Sequence, residues 1–428
     1  MKRYFLSLLF TAVTIISFAQ FSKAIIDQKE VKRIETTLSA DSMEGRKAFT
    51  QGSEKAANFI SNEFKEIGLE SLKGTKSYKQ TFSILSPKAI SISASFNGKY
   101  IDPKRLIALT CMPDLTITPT SGFRKVYIKQ AAELSKQYSD FIKLKENLIV
   151  FIDSSMTKTF SRLSARKQFL FKSDKSIVFV LGNFTGDDFV IKSENEITEK
   201  RAANVVGVLP GKSRKNELVI FSAHYDHLGI DKATNNDSVY NGANDDASGV
   251  AAVISLARYY KAAKNNERTL IFAAFTAEEL GGYGSQYFSQ QVDPLEVKAM
   301  FNIEMIGTES KWGSNSAYIT GFEKSDMGEI LQKNLQGSNF AFYPDPYPEQ
   351  DLFYRSDNAT LARLGVPAHT ISTSKMDNEL NYHKLSDEVQ TLDLKNMSEI
   401  IKSIAISAVS IVTGKDTPTR VKPDLLAR

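Results

Sequence analysis

The sequence has little cysteine and little histidine, and each scarcity excludes a class of protein. Cys111 is the single cysteine among 428 residues, so the chain can form neither an internal disulfide nor a site of paired cysteines for zinc or redox exchange. The four histidines all lie in the second half of the chain, which makes each one easier to weigh as a functional residue. With 42% apolar and 24% charged residues and no internal repeat, the composition is that of a globular protein.

An excess of one charge and long apolar runs are also missing. The 54 Lys and Arg residues oppose 49 Asp and Glu residues without forming a basic cluster, which gives no indication of binding to nucleic acid or to an anionic membrane. The apolar run at residues 4–18 is shorter than the roughly 20 residues of a membrane span. Because it follows Lys2 and Arg3 and ends in small residues, residues 1–19 are predicted to be a signal peptide. The protein is therefore expected to be exported, periplasmic or extracellular, without stable membrane insertion.

The apolar pattern divides the rest of the chain into segments of different structure. Apolar residues at helical spacing occur in residues 20–84, the amino-terminal helical part, and short β-rich runs fill residues 85–195, a smaller and mainly β insertion. From residue 196 to 414 apolar strands alternate with helices. This alternation predicts an α/β fold with a mixed, mostly parallel sheet sandwiched by helices. Residues 415–428, which contain two prolines, are expected to form a loose tail.

The first candidate ligands follow an apolar strand and precede a helix. His224 comes directly after the strand, and Asp226 could accept the second imidazole N–H, which is how zinc-binding histidines are usually oriented. Taken alone, His224 fits a turn histidine in a structural hydrogen bond better. Asp245 and Asp246 stand at the start of the next helix among small residues. Capping of the helix explains a single carboxylate at this position well, but it explains the presence of both less well.

Carboxylates and a histidine also follow the later strands. Glu278 and Glu279 come after an apolar strand, and because adjacent side chains diverge, one can bind a metal ion while the other faces a bound water. A solvated pair that begins a helix is the alternative. Glu304 lies near the end of the next apolar strand. Burial of a carboxylate there is costly unless it is paired or coordinated. The alternative is that Glu304 is exposed to solvent. His383 lies in a loop after a further strand.

The two remaining histidines are interpreted differently. His369 lies inside an apolar strand and is interpreted as a packed core residue, and His227 is interpreted as a loop residue rather than a ligand. His224, His383 and the carboxylates at successive strand ends then compose a site of nitrogen and oxygen atoms without sulfur. Such a site suits zinc, and less well manganese or cobalt.

At these residues the chain resembles the M28 family of zinc peptidases, which includes co-catalytic aminopeptidases, glutaminyl-peptide cyclases and catalytically silent receptor ectodomains. The resemblance covers residues 203–414 through five ordered motifs and, more weakly, Asp41–Arg46. It implies the fold of the zinc aminopeptidases, peptides as substrates and two zinc ions as cofactors. The insertion at 85–195 stands where several relatives have a protease-associated domain. The oligomeric state is not indicated.

The resemblance also implies a role for each candidate residue. Five residues would be metal ligands, with the second of them bridging both ions: His224, Asp245, Glu279, Glu304 and His383. Three others would act beside the metals: Glu278 as general base, Tyr382 as the group that stabilises the oxyanion, and Asp226 as the residue that orients His224.

Two residues depart from the family's pattern. Glu304 stands where members usually have aspartate, and its extra methylene either is absorbed by a rotamer change or weakens the second zinc site. Asn358 stands where members often have histidine. The sequence thus predicts an exported zinc-dependent peptidase, an aminopeptidase that uses a metal-activated water. The alternatives are a glutaminyl-peptide cyclase on one zinc ion and a non-catalytic binding protein on the same fold, and a carbohydrate- or surface-binding role would rest on the insertion alone.

Overall fold

The chain forms two compact units. The computed structural model describes residues 26–130, 141, 146–164, 169–184, 186–234 and 237–422. Within these ranges the first unit comprises residues 26–81 and 202–422, and the second comprises residues 82–201, whereas the expected insertion spans 85–195. The predicted signal peptide, residues 1–19, lies outside the described residues. Among the helices of the described ranges, none is both long enough and apolar enough to span a bilayer.

Helices and strands are numbered in chain order. The helices are α1 (Gln28–Leu38), α2 (Gln51–Ile67), α3 (Thr157–Ser164), α4 (Ser248–Ala263), α5 (Tyr283–Ser289), α6 (Met327–Leu335), α7 (Asn358–Ala362), α8 (Leu394–Ser407) and α9 (Val409–Val412). The strands are β1 (Glu70–Ser71), β2 (Lys79–Phe96), β3 (Lys99–Ile101), β4 (Leu106–Leu109), β5 (Asp114–Ile117), β6 (Arg124–Ile128), β7 (Leu148–Ile152), β8 (Ile177–Leu181), β9 (Phe189–Leu209), β10 (Arg214–His224), β11 (Gly229–Thr234), β12 (Asp237–Tyr240), β13 (Arg268–Phe275), β14 (Val297–Ile303), β15 (Ser316–Ile319), β16 (Ala341–Pro344) and β17 (Ala368–Ser372).

The first unit is built on a mixed sheet whose centre is parallel. Its strand order is β16-β15-β17-β14-β10-β13-β9, and the central neighbours β17 and β14, β14 and β10, and β10 and β13 are parallel pairs. Strands β15 and β9 join this centre in antiparallel orientation. The predicted α/β fold with a mixed, mostly parallel sheet between helices is confirmed.

Alternate side chains of the central strands enter two apolar cores. In β10, Val219 and Phe221 belong to the core shared with α1, α2, α4 and α8, whereas Ile220 belongs to the core shared with α5 and α7. In β13, Phe272 belongs to the first of these cores and Ile271 to the second. Because successive side chains of a strand point to opposite faces, burial on both faces requires an unbroken apolar run. This explains why these strands show no alternation of apolar and polar residues.

The carboxyl-terminal segment is attached to the first unit, so the expectation of a loose tail is wrong for residues 415–422. The fully buried guanidinium of Arg268 donates to the carbonyl oxygen of Asp416 at 2.7 Å. Val421 is 1% exposed and packs in the core that contains α5 and α7. A buried cation needs acceptors, and this segment supplies them. Residues 423–428 lie outside the described ranges.

The second unit has apolar cores of its own. Strands β6, β7 and β8 are parallel neighbours, and β4 pairs antiparallel with β8. The side chains of β7 are buried on both faces of this sheet: Val150 packs in one cluster, which includes Phe160 of α3, and Phe151 packs in the other. The described part of this unit thus contains a small sheet with an apolar cluster on each face, one of which includes α3.

Candidate metal centre

The candidate ligands lie at one edge of the sheet, where its parallel strands end. His224 is the last residue of β10, Glu279 follows β13, and Glu304 lies just beyond β14, which ends at Ile303. Asp245 lies in the turn that leads into α4. The carboxyl ends of strands in an open α/β sheet are where ligands usually bind, because the connecting loops meet there.

Asp245 lies between two groups of side chains. Its Oδ1 is 3.2 Å from Nε2 of His224, and Oε1 of Glu304 is 3.2 Å from the same nitrogen. Its Oδ2 is 3.2 Å from Nε2 of His383, and Oε2 of Glu279 is 3.2 Å from that nitrogen. We call these the His224 group (His224, Asp245 and Glu304) and the His383 group (His383, Asp245 and Glu279). The structure therefore brings together all five predicted ligands, in two groups that share one carboxylate.

The chemistry of these side chains fits divalent metal ions. Nitrogen and oxygen atoms of His224, Asp245 and Glu304 lie within 4.8 Å of one another. Oδ2 of Asp245 is buried, and although Nε2 of His383 lies 3.2 Å away, it makes no hydrogen bond of suitable geometry with the described residues. Buried carboxylates are unfavourable unless a cation or hydrogen bonds compensate them. Imidazoles and carboxylates without sulfur are ligands that zinc accepts.

His227 lies in the loop after β10, as expected, and its ring is close to two of the candidate ligands. Its Nδ1 lies 3.0 Å from Oε1 of Glu279 and 3.8 Å from Oδ2 of Asp245, and its side chain is 0% exposed. The ring centroids of His227 and His383 are 5.7 Å apart. The sequence signal for this placement is the second histidine of His-Tyr-Asp-His, which follows His224 by three residues.

Asp226 contacts His224 through its main chain rather than through its carboxylate. Nδ1 of His224 is 3.0 Å from the carbonyl oxygen of Asp226 and 4.0 Å from Oδ1. The carboxylate instead accepts the main-chain N–H of Glu278 at 3.0 Å. The expected imidazole contact is therefore made by a different atom, and the side chain fixes the turn after β13. Burial raises the pKa of the Asp226 carboxyl to about 7.

Asp246 has a structural role that separates it from its neighbour. Its Oδ1 accepts the N–H groups of Gly249 and Met305, each at 3.0 Å. Its Oδ2 accepts the N–H of His224 at 3.3 Å. Capping of helix α4 therefore explains Asp246, as the sequence suggested for one of the two carboxylates, and leaves Asp245 to the metal groups.

Glu278 is half-buried, and its carboxyl interacts electrostatically with members of both groups. Burial raises the pKa of its carboxyl well above the ordinary value, His224 opposes this shift, and the carboxylates of Glu304, Asp357 and Glu279 reinforce it. A group that accepts a proton from water and later returns it works best when its pKa lies nearer to neutrality. The environment of Glu278 is that of such a group.

Glu304 reaches the His224 group in spite of its extra methylene. The hydroxyl of Ser356 donates to its Oε2, which leaves Oε1 to face His224. The amide nitrogen of Asn302 donates to the oxygen of Ser356 at 2.7 Å and fixes that hydroxyl. Ser356 was not recognised in the sequence, because a serine in a loop far along the chain carries no signal of this contact. Asn358 instead donates to a carbonyl oxygen at the end of the preceding turn.

Tyr382 lies at the same site. Its ring stacks on that of His383, with centroids 3.9 Å apart. It also lines a cavity of about 60 Å³ together with Glu304, Arg355 and Ser356. Burial raises the pKa of its phenol further above the ordinary value, so the hydroxyl remains protonated and able to donate.

Arg46 fixes the two loops on either side of the cluster. Its fully buried guanidinium donates to the carbonyl oxygens of Tyr225 at 2.7 Å, Asn241 at 2.6 Å and Gly242 at 2.9 Å. Its planar set of donors suits several acceptors at once. The segment Asp41–Arg46, noted above for its resemblance to the family's amino-terminal part, therefore supports the loops that carry His227 and Asp245.

The comparison with known families concerns this part of the chain. Residues 204–407, which include all five predicted ligands, match the model of peptidase family M28. Over these residues the chain is similar to that family. Within the chain, 112 residues are 35% identical to a probable zinc metalloprotease of Pyricularia oryzae, which covers 26% of this chain and 22% of that protein. A stretch of 250 residues is 31% identical to aminopeptidase YwaD of Bacillus subtilis, which covers 54% of this chain and 49% of that protein. The chain thus spans less than half the length of these curated relatives.

Solved structures share the fold of the M28 region and its surroundings. The aminopeptidase from Aneurinibacillus sp. strain AM-1 superposes with a TM-score of 0.54 at 18% identity, over 92% of this chain and 96% of that one. The zinc aminopeptidase BSAP from Bacillus subtilis gives a TM-score of 0.54 at 16% identity, over 92% of this chain and 97% of that one. At such identities the likeness establishes the fold.

Proposed function

We propose that the protein is a zinc-dependent peptidase, and specifically an aminopeptidase that acts on peptides after export. The observation that carries the proposal is the arrangement of two ligand groups that share Asp245, with the half-buried carboxyl of Glu278 close enough to interact with both. The match of residues 204–407 to the family model and the names of the relatives support the same activity.

Each ligand group would bind one zinc ion, and Asp245 would bridge the two. A bound zinc ion lowers the pKa of water to about 7 and polarises a carbonyl group. The residues of the chain would supply the rest of the chemistry. Glu278 would accept a proton from the attacking water and pass it to the amine that leaves.

Two further residues would act around the scissile bond. Tyr382 retains its hydroxyl proton and would donate it in a hydrogen bond to the oxyanion as the negative charge develops. Asp226 would keep Glu278 in position through the hydrogen bond to its main-chain N–H. A free substrate amino group would lie near the acidic groups of the cluster, which favours cleavage at the amino terminus over internal cleavage.

The test compares free and amino-blocked forms of the same peptides, with and without a chelator. We expect release of the first residue from the free peptides, loss of this activity with the chelator and recovery on addition of zinc. Equal cleavage of the blocked peptides would contradict aminopeptidase action, and cleavage insensitive to the chelator would contradict zinc dependence. Two zinc ions per chain are expected on metal analysis, whereas a single ion together with cyclisation of amino-terminal glutamine would favour the cyclase alternative.

A further inference from the structure

We infer that His227 is a fourth ligand of the ion in the His383 group, so that the two zinc sites are unequal. The His383 group would then offer four protein ligands and the His224 group three. The inference rests on the proposed function, because it takes the bound ions to be zinc. It concerns a residue that was not among the five predicted ligands, and it assigns different tasks to the two ions.

The spacing of the ligand atoms supports four-coordinate binding. In a tetrahedral zinc site with bonds of about 2.0–2.1 Å, neighbouring ligand atoms lie about 3.3 Å apart. Nδ1 of His227 is 3.0 Å from Oε1 of Glu279 and 3.8 Å from Oδ2 of Asp245. Nε2 of His383 is 3.2 Å from both carboxylates. The distances from the His227 nitrogen to the two carboxylates of the His383 group therefore lie on either side of the tetrahedral spacing.

The surroundings of His227 fix its ring in this orientation. A Cβ atom at position 242 would lie 2.5 Å from the ring, so only glycine leaves room for the imidazole there. Arg46 binds the carbonyl oxygens of Tyr225 and Gly242 and keeps the two loops together around the ring. No described residue donates a hydrogen bond to Nε2, so nothing there forces the ring proton onto Nδ1. The Nδ1 lone pair is therefore free to bind an ion.

Unequal coordination predicts unequal behaviour. Sites in which protein atoms fill all four positions around zinc are structural, whereas catalytic sites keep a position open for water or substrate. The His224 group, with three ligands and Glu278 beside it, would keep the open position. The His383 group would bind its ion first and more tightly, and that ion would organise Asp245 for the exchangeable one.

The alternative to metal binding is that Nδ1 of His227 donates a hydrogen bond to Glu279. The variant His227→Asn distinguishes these two roles. The asparagine amide places an N–H near the position of Nδ1 and can still donate to Glu279, but it has no imidazole lone pair. The full-length chain, freed of metal, is titrated with zinc in competition with a chromophoric chelator. We expect two unequal affinities in the wild type. In His227→Asn the tighter affinity should fall by more than the roughly 10- to 100-fold that loss of an outer hydrogen-bond partner costs, and the weaker one should change little.

A matched control and a second measurement complete the test. His369→Asn alters a buried histidine outside the cluster and should leave both affinities unchanged. X-ray absorption of the wild type with one equivalent of zinc should count two imidazoles per ion, and His227→Asn should show one. The inference would be overturned if the wild type showed one imidazole per zinc ion, or if His227→Asn bound zinc with the affinity of the wild type. If the variant does not fold, the number of imidazoles per ion in the wild type decides. Failure of the proposed function would be distinct, because the wild type would then bind no zinc or show no zinc-dependent hydrolysis.

Discussion

Among single residues, Glu278 has the most specific proposed task. Replacing it with glutamine keeps the size of the side chain and removes the group that accepts the proton. We expect Glu278→Gln to bind zinc as the wild type does and to lose about 10²- to 10⁴-fold in kcat, which is the usual contribution of a general base. Metal analysis and steady-state kinetics measure the two effects. Glu329→Gln, on the exposed face of α6, is the control and should keep both zinc binding and turnover. Near-normal turnover of Glu278→Gln would remove that residue from the mechanism.

Ser356 gives a second prediction at this scale, because it fixes the longer carboxylate at position 304. Removing its hydroxyl in Ser356→Ala frees Oε2 of Glu304 and lets the carboxylate rotate away from His224. The weaker zinc affinity should fall by about 10-fold, in the range found for partners that orient ligands, with the tighter one unchanged. Competition titration with zinc measures both. Equal affinities in variant and wild type would mean that Glu304 needs no support.

His369 predicts a dependence of stability on pH. Burial lowers the pKa of its imidazole from 6.5 to about 4, while its Nδ1 donates to the carbonyl oxygen of Thr320 at 2.9 Å. Below pH 6.5 the unfolded chain takes up a proton that the folded chain refuses. The stability present above pH 6.5 is therefore lost as the pH falls towards 4, by about 3 kcal/mol. In His369→Asn the amide can still donate to Thr320 but does not titrate, so its urea-unfolding free energy should approach that of the wild type as the pH falls. Parallel curves from pH 7 to pH 4 would contradict this.

At the scale of elements, the loop after β10 and the turn before α4 depend on a residue from the amino-terminal part of the chain. The guanidinium of Arg46 donates three hydrogen bonds to these loops. In Arg46→Lys a single ammonium takes its place and leaves buried carbonyl oxygens without a donor. The free energy of unfolding should fall by roughly 3 kcal/mol, and the tighter zinc affinity should fall with it. Arg33→Lys, at a side chain 43% exposed, is the control and should cost under about 1 kcal/mol. Urea unfolding with and without zinc checks both, and unchanged zinc binding in Arg46→Lys would separate this arginine from the site.

Elements also show how far the sequence alone could lead. The apolar strands β10, β13 and β14 and the polar residues after each one were readable, because a parallel sheet collects the ends of its strands at one edge. The position of His227 was not, since three residues beyond His224 the chain has turned, and contacts with distant parts of the chain, such as Gly242 and Glu279, determine where the imidazole lies. Asp226 was placed correctly beside His224 but with the wrong atom, because sequence spacing does not distinguish a carbonyl oxygen from a carboxylate.

For the molecule as a whole, separate apolar cores in the two units predict separate unfolding. Zinc should raise the midpoint of the transition of the unit that contains the ligands by about 5 °C or more at saturating concentrations, and leave the other transition unchanged. Differential scanning calorimetry measures both. Phe151→Ala, in a core of the second unit, should lower only the transition that zinc does not affect. A single transition that zinc shifts as a whole would contradict this independence.

The overall organisation was predictable where it depended on local pattern, and less so where it depended on distant contacts. The change from helical to β-rich composition near residue 85 was visible in the sequence. The attachment of residues 415–422 was not, because Pro418 and the polar residues around it resemble a free end. The acceptors that this segment provides for Arg268 matter only once that arginine is buried.

The position of Arg46 has a practical consequence for shortening the chain. A fragment cut at 204 and 407, the limits of the family match, would contain every candidate ligand and still lack the guanidinium that joins the two loops around them. It would also expose Arg268 without the acceptors that follow residue 407. Material for crystallisation or calorimetry is therefore better reduced by excising the interior, between residues 82 and 201, than by trimming either end.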